Sequence, residues 1–288
     1  LLGAQGLTRA NMGNPELQWE VSKKADIGLD ASFFQDRLNI TADVYRSKTD
    51  KMITQTAVPS FTGFTYEIAN GGAMENNGVE LSISGRIINT EKLKWDLGVN
   101  IAAYRNKITK ISGDRMMSTY AGANILTQVG LPVGMFYGYK TNGVYKSNAE
   151  AATAGVSVQN AQGDLIAQQG GDVRFVDVNN DHVINSSDMQ IIGNPNPDYT
   201  GGISTQLTYK RVSLDALFTF SKGNDIYNYT RRQLESENGF YNQSAAVLNR
   251  WRGDGQVTNI PLASYGDPSG NSSFSDRWIE DGSYIRLR

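Results

Sequence analysis

The strongest constraint on the fold of this chain is a long alternation of apolar and polar side chains. From Trp19 to Phe33 the odd positions are apolar except for one lysine, and the even positions are polar or glycine. Side chains of a β-strand point alternately to its two faces, so such a segment has one apolar and one polar face. The pattern recurs along the chain and predicts an all-β protein.

Several of the alternating segments are too long for ordinary globular strands. Strands in globular proteins most often have about 5–6 residues, whereas a tilted membrane-spanning strand needs about 9–11. We therefore predict a transmembrane antiparallel β-barrel. Its predicted strands cover about residues 18–33, 37–47, 78–88, 93–105, 200–209, 212–221 and 283–288.

The connections between these strands alternate between short and long. Short turns are expected at 34–37, 89–92 and 210–211, and long loops at about 48–77, 106–199 and 222–277. Short turns on one side and long loops on the other are typical of an outer-membrane barrel. A soluble β-sandwich would explain the alternation but not this order of connections.

Composition excludes several classes of function. The chain has 27 Lys+Arg against 29 Asp+Glu and no dense basic run, which argues against a nucleic-acid binder. Cysteine is absent, so disulfides, thiolate metal sites and a cysteine nucleophile are excluded. His182 is the only histidine, so a histidine-rich metal centre is excluded too.

Several phrases of the sequence resemble the SusC/RagA-type TonB-dependent receptors. One is an Asn-Pro-x-Leu-x-Trp-Glu opening before a strand, and another is an Asn-Gly-Val-Glu-Leu strand start. The resemblance is carried, in the order of the family, by 14–20, 27–30, 77–81, 130–145, 193–202 and 280–287.

The resemblance implies a 22-stranded barrel with a plugged lumen, located in the Gram-negative outer membrane. This chain would supply a C-terminal part of that barrel, without the plug domain, the TonB box and the last strands. Receptors of this kind import oligosaccharides or peptides, with a SusD-like lipoprotein as lid and the TonB complex as energy source. No catalytic or substrate-contacting residue is implied. The alternative is a secreted, calcium-stabilised β-rich adhesin or glycan-binding module. A third hypothesis is a glycoside hydrolase, but no sequence motif identifies the pair of catalytic carboxylates that it would need.

One segment of the longest loop has the spacing of a calcium-binding loop. Oxygen-bearing side chains occupy positions 1, 3, 5, 9 and 12 of a twelve-residue frame, and position 7 would offer its backbone carbonyl. We therefore predict a Ca²⁺ site formed by Asp177, Asn179, Asp181, Val183, Asn185 and Asp188.

Two positions depart from the usual calcium loop. His182 stands at position 6, where glycine allows the sharp turn, although histidine is among the residues that tolerate a left-handed backbone. Asp188 stands at position 12, where the longer Glu is usual. The alternative is a solvated loop whose carboxylates accept hydrogen bonds from backbone amides.

The alternation also predicts which side chains meet lipid. We expect the apolar face to include Val21, Ile27, Leu29, Ile40, Val44, Leu97 and Ile101. Aromatic residues near strand ends are expected to form an interfacial girdle. The candidates for this girdle are Trp19, Trp95, Tyr104 and Tyr209.

Overall fold

The structure is a computed structural model that describes residues 12–288. Its main element is a seven-stranded antiparallel sheet. The strands, in their order across the sheet, are β1 Val21–Phe33, β2 Leu38–Ala57, β3 Tyr66–Asn89, β4 Leu93–Lys110, β14 Tyr199–Tyr209, β15 Val212–Lys222 and β18 Tyr284–Leu287.

Smaller elements fill the connections that leave one end of this sheet. The strands are β5 Arg115–Tyr120, β6 Ala123–Gln128, β7 Met135–Gly138, β8 Thr141–Val144, β9 Ser157–Gln159, β10 Leu165–Ala167, β11 Val173–Phe175, β12 Val183–Ile184, β13 Gln190–Gly193, β16 Asp225–Tyr227 and β17 Ile279–Asp281. The helices are α1 Asn148–Ala154 and α2 Tyr229–Glu235, with 3₁₀ turns at Ser60–Thr62, Ser186–Asp188, Ala245–Asn249 and Asp276–Trp278. Within the described residues, no helix is long and apolar enough to cross a membrane.

The strand register aligns the apolar side chains in rows across the sheet. Leu29 pairs with Ala42, which pairs with Leu81, and this row continues to Ile101. The residues predicted to meet lipid share this face. Many of its side chains are exposed, including Ile27 at 80%, Leu29 at 64% and Val44 at 58%. A continuous apolar face of this kind indicates a surface that contacts a membrane or another protein.

Short turns join the strands at the other end of the sheet. The turn at 34–37 contains three consecutive residues with positive φ, between 57° and 61°, at Phe34, Gln35 and Asp36. A two-residue turn joins β14 to β15, with φ 55° at Lys210. Because consecutive strands are antiparallel, all the short turns lie at one end and all the longer connections at the opposite end.

The first predicted long loop, residues 48–77, is mostly strand. β2 continues to Ala57 and β3 begins at Tyr66, so only residues 58–65 connect them. Residues of β2 beyond Ser47 are mostly polar, and the adjacent apolar pair Met52 and Ile53 interrupts the alternation, so the sequence pattern does not indicate a strand there. Backbone pairing with β3 nevertheless continues through two register shifts near Met52. These extensions project beyond the apolar band.

The connection of residues 111–198, expected as a loop over 106–199, is also folded. It holds the four-stranded sheet β13-β7-β6-β5, the three-stranded sheet β10-β9-β12 and the pair β8 and β11. Each of these strands has only 2–6 residues, too few for periodicity to identify it in sequence. The connection of residues 223–283, expected as a loop over 222–277, contains α2, β16 and β17.

The two clusters of buried apolar side chains lie in these two connections. One cluster joins the two connections, and its aromatic rings meet edge to face. It consists of Ala123, Phe136, Phe274 and Trp278. A second cluster packs the small strands of the 111–198 connection together and consists of Val158, Val173, Phe175 and Ile184. Burial of this apolar surface makes the connections one packed body.

Candidate functional site

The polar face of the sheet is concave and carries two hollows. The larger, about 750 Å³, lies at the short turns and includes the ion pair between Arg86 and Asp96 at 2.8 Å. The smaller, about 440 Å³, lies nearer the long connections and is lined by side chains of the first four strands. A polar concave face opposite an apolar convex face is the arrangement of a barrel wall with an aqueous lumen.

Two tyrosines flank a glycine on this polar face. In the strand register Tyr45 and Tyr104 both stand opposite Gly78, in a row that begins at Asp26. A Cβ atom on Gly78 would overlap the Tyr45 ring, so the ring occupies the space that the glycine leaves. Because Tyr104 lies on the lumen face, its assignment to the interfacial girdle is wrong. The apolar side chains of β4 stand at odd-numbered positions, such as Leu97 and Ile101, and position 104 is even, so the Tyr104 ring lies on the opposite face.

The girdle candidates on the main sheet other than Tyr104 lie on the apolar face. Trp95 donates a hydrogen bond from Nε1 to the Thr205 hydroxyl at 2.9 Å across the sheet. Tyr209 ends β14 next to the two-residue turn. Both residues are at the short-turn end of the apolar band, where an aromatic ring can keep a polar atom near water.

Polar tethers hold the two long connections together. The Asn271 side chain accepts a hydrogen bond from the Val173 N–H at 2.7 Å and donates one to the buried Asp172 at 2.9 Å. The Trp251 Nε1 donates to the Lys146 carbonyl at 3.0 Å. These bonds cross about 100 residues of chain, and the alternation pattern gave no signal for them.

Exposed aromatic side chains mark the outer part of the 223–283 connection. Phe240 is 93% exposed, and its ring centroid lies 5.2 Å from that of Tyr265. Tyr241 and Tyr265 are also exposed. Rings of this kind supply contact area for a binding partner or a substrate.

Glu237, in the 223–283 connection, is a buried carboxyl group with a raised pKa. Glu237 is 6% exposed, and both of its carboxylate oxygens lack a hydrogen-bond partner among residues 12–288. Burial raises the pKa of Glu237, while the nearby Arg250 and Arg277 partly oppose the effect.

The structure gives the predicted calcium loop a tightly hydrogen-bonded backbone. Asp177 Oδ2 accepts from the His182 N–H at 2.8 Å, and His182 has φ 63°, the left-handed conformation that position 6 requires. Asp188 accepts from the Val178 and Asn185 N–H groups at 2.8 and 2.9 Å. These contacts fold residues 177–188 into a compact turn.

Several predicted ligand oxygens are already engaged within the loop. Asp181 accepts from the Val183 N–H and from the Asn179 side chain, each at 2.8 Å. Asn185 Oδ1 accepts from the Ser187 N–H at 2.8 Å. Asp177 Oδ1, by contrast, is buried without a partner in the described part of the chain. In the same part, no three acidic or histidine side chains form a group that could hold a metal ion.

Comparisons with known proteins agree on one family. The family model described as "TonB dependent receptor-like, beta-barrel" matches residues 3–249. TonB-dependent receptor P3 of Formosa agariphila is 33% identical over 98% of this chain and 28% of its own length. TonB-dependent receptor SusC of Bacteroides thetaiotaomicron is 28% identical over 97% of this chain and 26% of its own length.

Solved structures give the same result. The structure of the RagAB peptide transporter matches with a TM-score of 0.77 and 26% identity, covering 100% of this chain and 30% of that chain. The RagAB peptide importer in its open-open state matches with a TM-score of 0.73 and 26% identity, covering 98% of this chain and 29% of that chain. The chain therefore spans less than a third of the length of these relatives.

Proposed function

Because the chain belongs to the TonB dependent receptor-like β-barrel family, we propose that it forms part of the wall of an importer of oligosaccharides or peptides. The family places it in the outer membrane of Gram-negative bacteria. Energy for import would come from the TonB complex, acting through the plug domain of such a receptor.

The single observation that carries this proposal is the exposed apolar face of the main sheet. Rows such as Leu29, Ala42, Leu81 and Ile101 stand side by side with no protein covering them among residues 12–288. The hydrocarbon core of a membrane is a favourable environment for such a face, and the antiparallel pairing provides hydrogen-bond partners for the backbone N–H and C=O groups. A secreted adhesin or glycan-binding module would turn the same face to water, so that alternative is not favoured.

The long connections are proposed to lie outside the cell. Outer-membrane barrels have short periplasmic turns and longer extracellular loops, and the short turn at 34–37 lies at the opposite end from residues 111–198. The exposed rings of Phe240 and Tyr265 would then face incoming substrate and a SusD-like lipoprotein lid. The similar structures, which are named as a RagAB peptide transporter and a RagAB peptide importer, support import as the activity.

We propose no catalytic role. The relatives are named as receptors and transporters. Transport requires passage past a polar wall and needs no bond to be broken. The two lumen hollows give this wall open space of about 750 and 440 Å³.

Energised uptake tests the proposed import. Cells carrying the full-length receptor and its lipoprotein should accumulate fluorescent oligosaccharides or peptides from a mixed pool, and a proton ionophore should abolish accumulation. The same cells without the receptor gene are the control. Equal accumulation with and without the receptor, for every member of the pool, would contradict the proposal.

The calcium site is proposed as a structural part of this importer. Its support is Asp177, which gives one oxygen to the His182 N–H and leaves a second, buried oxygen without a partner. A calcium ion bound by Asp177, Asn179, Asp181, the Val183 carbonyl, Asn185 and Asp188 would use hard oxygen ligands only. Such ligands suit a stabilising role in the 111–198 connection.

A further inference from the structure

Two hollows between the long connections form one groove of basic character. The outer hollow, about 390 Å³, is lined by residues that include Lys146, Glu150 and Arg174. The inner hollow, about 180 Å³, is lined by residues that include Arg231 and Arg277. Both hollows share the residues Gly143, Val144 and Asn259, so they are continuous. Four of the lining residues are basic and one is acidic.

Two of the four basic residues already have carboxylate partners. Arg174 pairs with Glu150 at 3.2 Å. Arg231 pairs with Glu235 and Glu280, each at 3.1 Å. These pairs neutralise the middle of the groove and hold its walls.

Lys146 and Arg277, the other two, have no ion-pair partner among the described residues. Lys146 is exposed at the outer end. Arg277 lies at the inner end, stacked 4.6 Å above the Trp278 ring, and its three guanidinium nitrogens are buried without a hydrogen-bond partner. Each end of the groove therefore carries a basic side chain that forms no direct ion pair in the described part of the chain.

The charge on Arg277 persists at neutral pH. Burial lowers the pKa of its guanidinium to about 10, and the nearby carboxylates of Glu235, Glu237 and Asp267 oppose the effect. These carboxylates lie beyond ion-pair distance. A buried cation without a partner is costly unless an anion pairs with it. A carboxylate or sulfate would supply two or more acceptors for the guanidinium fork.

We propose that this groove, between Lys146 and Arg277, binds the anionic groups of the imported substrate. The substrate class is a carboxylate-bearing oligomer, either an acidic peptide or a uronic-acid oligosaccharide. This inference rests on the proposed import function and adds the charge of the substrate to it. Asn259, shared by both hollows, offers an amide to the same ligand.

The test is binding to the purified full-length receptor in detergent, without an energy source. The probes are tetraglutamate and tetragalacturonate, with tetralysine as the oppositely charged control. Wild-type receptor should bind at least one of the two anions more tightly than tetralysine, and the anion that binds identifies the source. Arg277→Gln should weaken that binding about tenfold, since it removes a charge-assisted interaction, and Lys146→Gln about threefold.

Lys210→Gln, which makes the same charge change at the two-residue turn at the opposite end of the sheet, should leave binding unchanged. If Arg277→Gln does not assemble, the exposed Lys146→Gln decides the result. The inference is overturned if neither anion binds more tightly than tetralysine, or if Lys146→Gln binds both like wild type. Intact anion binding together with failed energised uptake would contradict the import function and leave the groove assignment standing.

Discussion

The carboxylate of Asp276 accepts hydrogen bonds from both the backbone N–H and the hydroxyl of Thr141, at 2.9 and 2.6 Å, across 135 residues of chain. This contact joins the 111–198 connection to the 223–283 connection next to the fully buried Trp278. Since both connections also share an apolar cluster, the tether fixes the relative position of two walls of the basic groove.

Asp276→Ala should loosen this junction by about 1.5–3 kcal/mol, because it leaves two donors of Thr141 without a charged acceptor. Hydrogen exchange in the purified receptor should show faster exchange in β8 and β17, with the main sheet unchanged. Thr141→Val, which keeps the backbone donor, should have a smaller effect. Asp36→Ala at the short turns is the matched control. Unaltered exchange in Asp276→Ala would show that the tether does not stabilise the junction.

Ile101 and Asn100 are adjacent in β4 and point to opposite faces of the sheet. Ile101→Arg should reduce the fraction of heat-modifiable, assembled barrel, because arginine on the lipid face costs about 2–4 kcal/mol near the bilayer midplane. Asn100→Arg places the same charge in the lumen and should assemble nearly as wild type. Equal loss in the two variants would contradict the assignment of the faces.

Calcium removal should act locally. With a chelator, residues 177–188 should exchange faster and association with the lipoprotein lid should weaken, while the strands of the main sheet stay protected. Asp177→Ala should reproduce the chelator effect and abolish any further response to calcium. If calcium changes neither exchange nor density at this loop, the loop is held by its own hydrogen bonds alone.

Glu237 should make the stability of the long connections depend on pH. Its pKa in the folded state is raised above the ordinary 4.5, so the folded state binds the proton more tightly than the unfolded state. The resulting stability is fully present below pH 4.5 and is lost as pH rises through the raised pKa.

Glu237→Gln should therefore stabilise the connections at pH 7 by about 1 kcal/mol, because a neutral amide replaces a buried carboxylate without partners. It should also flatten the pH dependence above pH 4.5. Glu235→Gln, which loses the ion pair with Arg231, should destabilise instead. Thermal unfolding followed between pH 4 and 8 separates these outcomes. A Glu237→Gln variant less stable than wild type at pH 7 would contradict the account.

Alternation predicted those strands whose two faces meet different solvents. Val21 to Phe33 alternates because one face is apolar and the other polar, and the structure places β1 over that range. Beyond Ser47 most residues are polar and the adjacent Met52 and Ile53 break the period, so alternation could not predict the extension of β2 to Ala57. The alternation therefore predicted the parts of the strands that lie inside the apolar band, and it did not predict the parts that extend beyond it.

The two candidate sites differ in whether they could be predicted from the sequence. The calcium-like loop is local, so twelve consecutive residues from Asp177 to Asp188 carry its whole pattern. The basic groove is assembled from Lys146 and Arg277, which are far apart in the chain and are brought together by tethers such as the one from Thr141 to Asp276. No spacing rule relates such residues, since tertiary packing alone brings them together.

Membrane topology tests the central claim most directly. The chain has no cysteine, so single cysteines can be introduced into this part of the receptor, with any cysteine elsewhere in it replaced, at Asp36 in the short turn and at the 93% exposed Phe240. An impermeant thiol reagent applied to intact cells should label Phe240→Cys and should label Asp36→Cys only after the outer membrane is permeabilised. Labelling of Asp36→Cys on intact cells with none of Phe240→Cys would contradict the proposed orientation of the barrel wall.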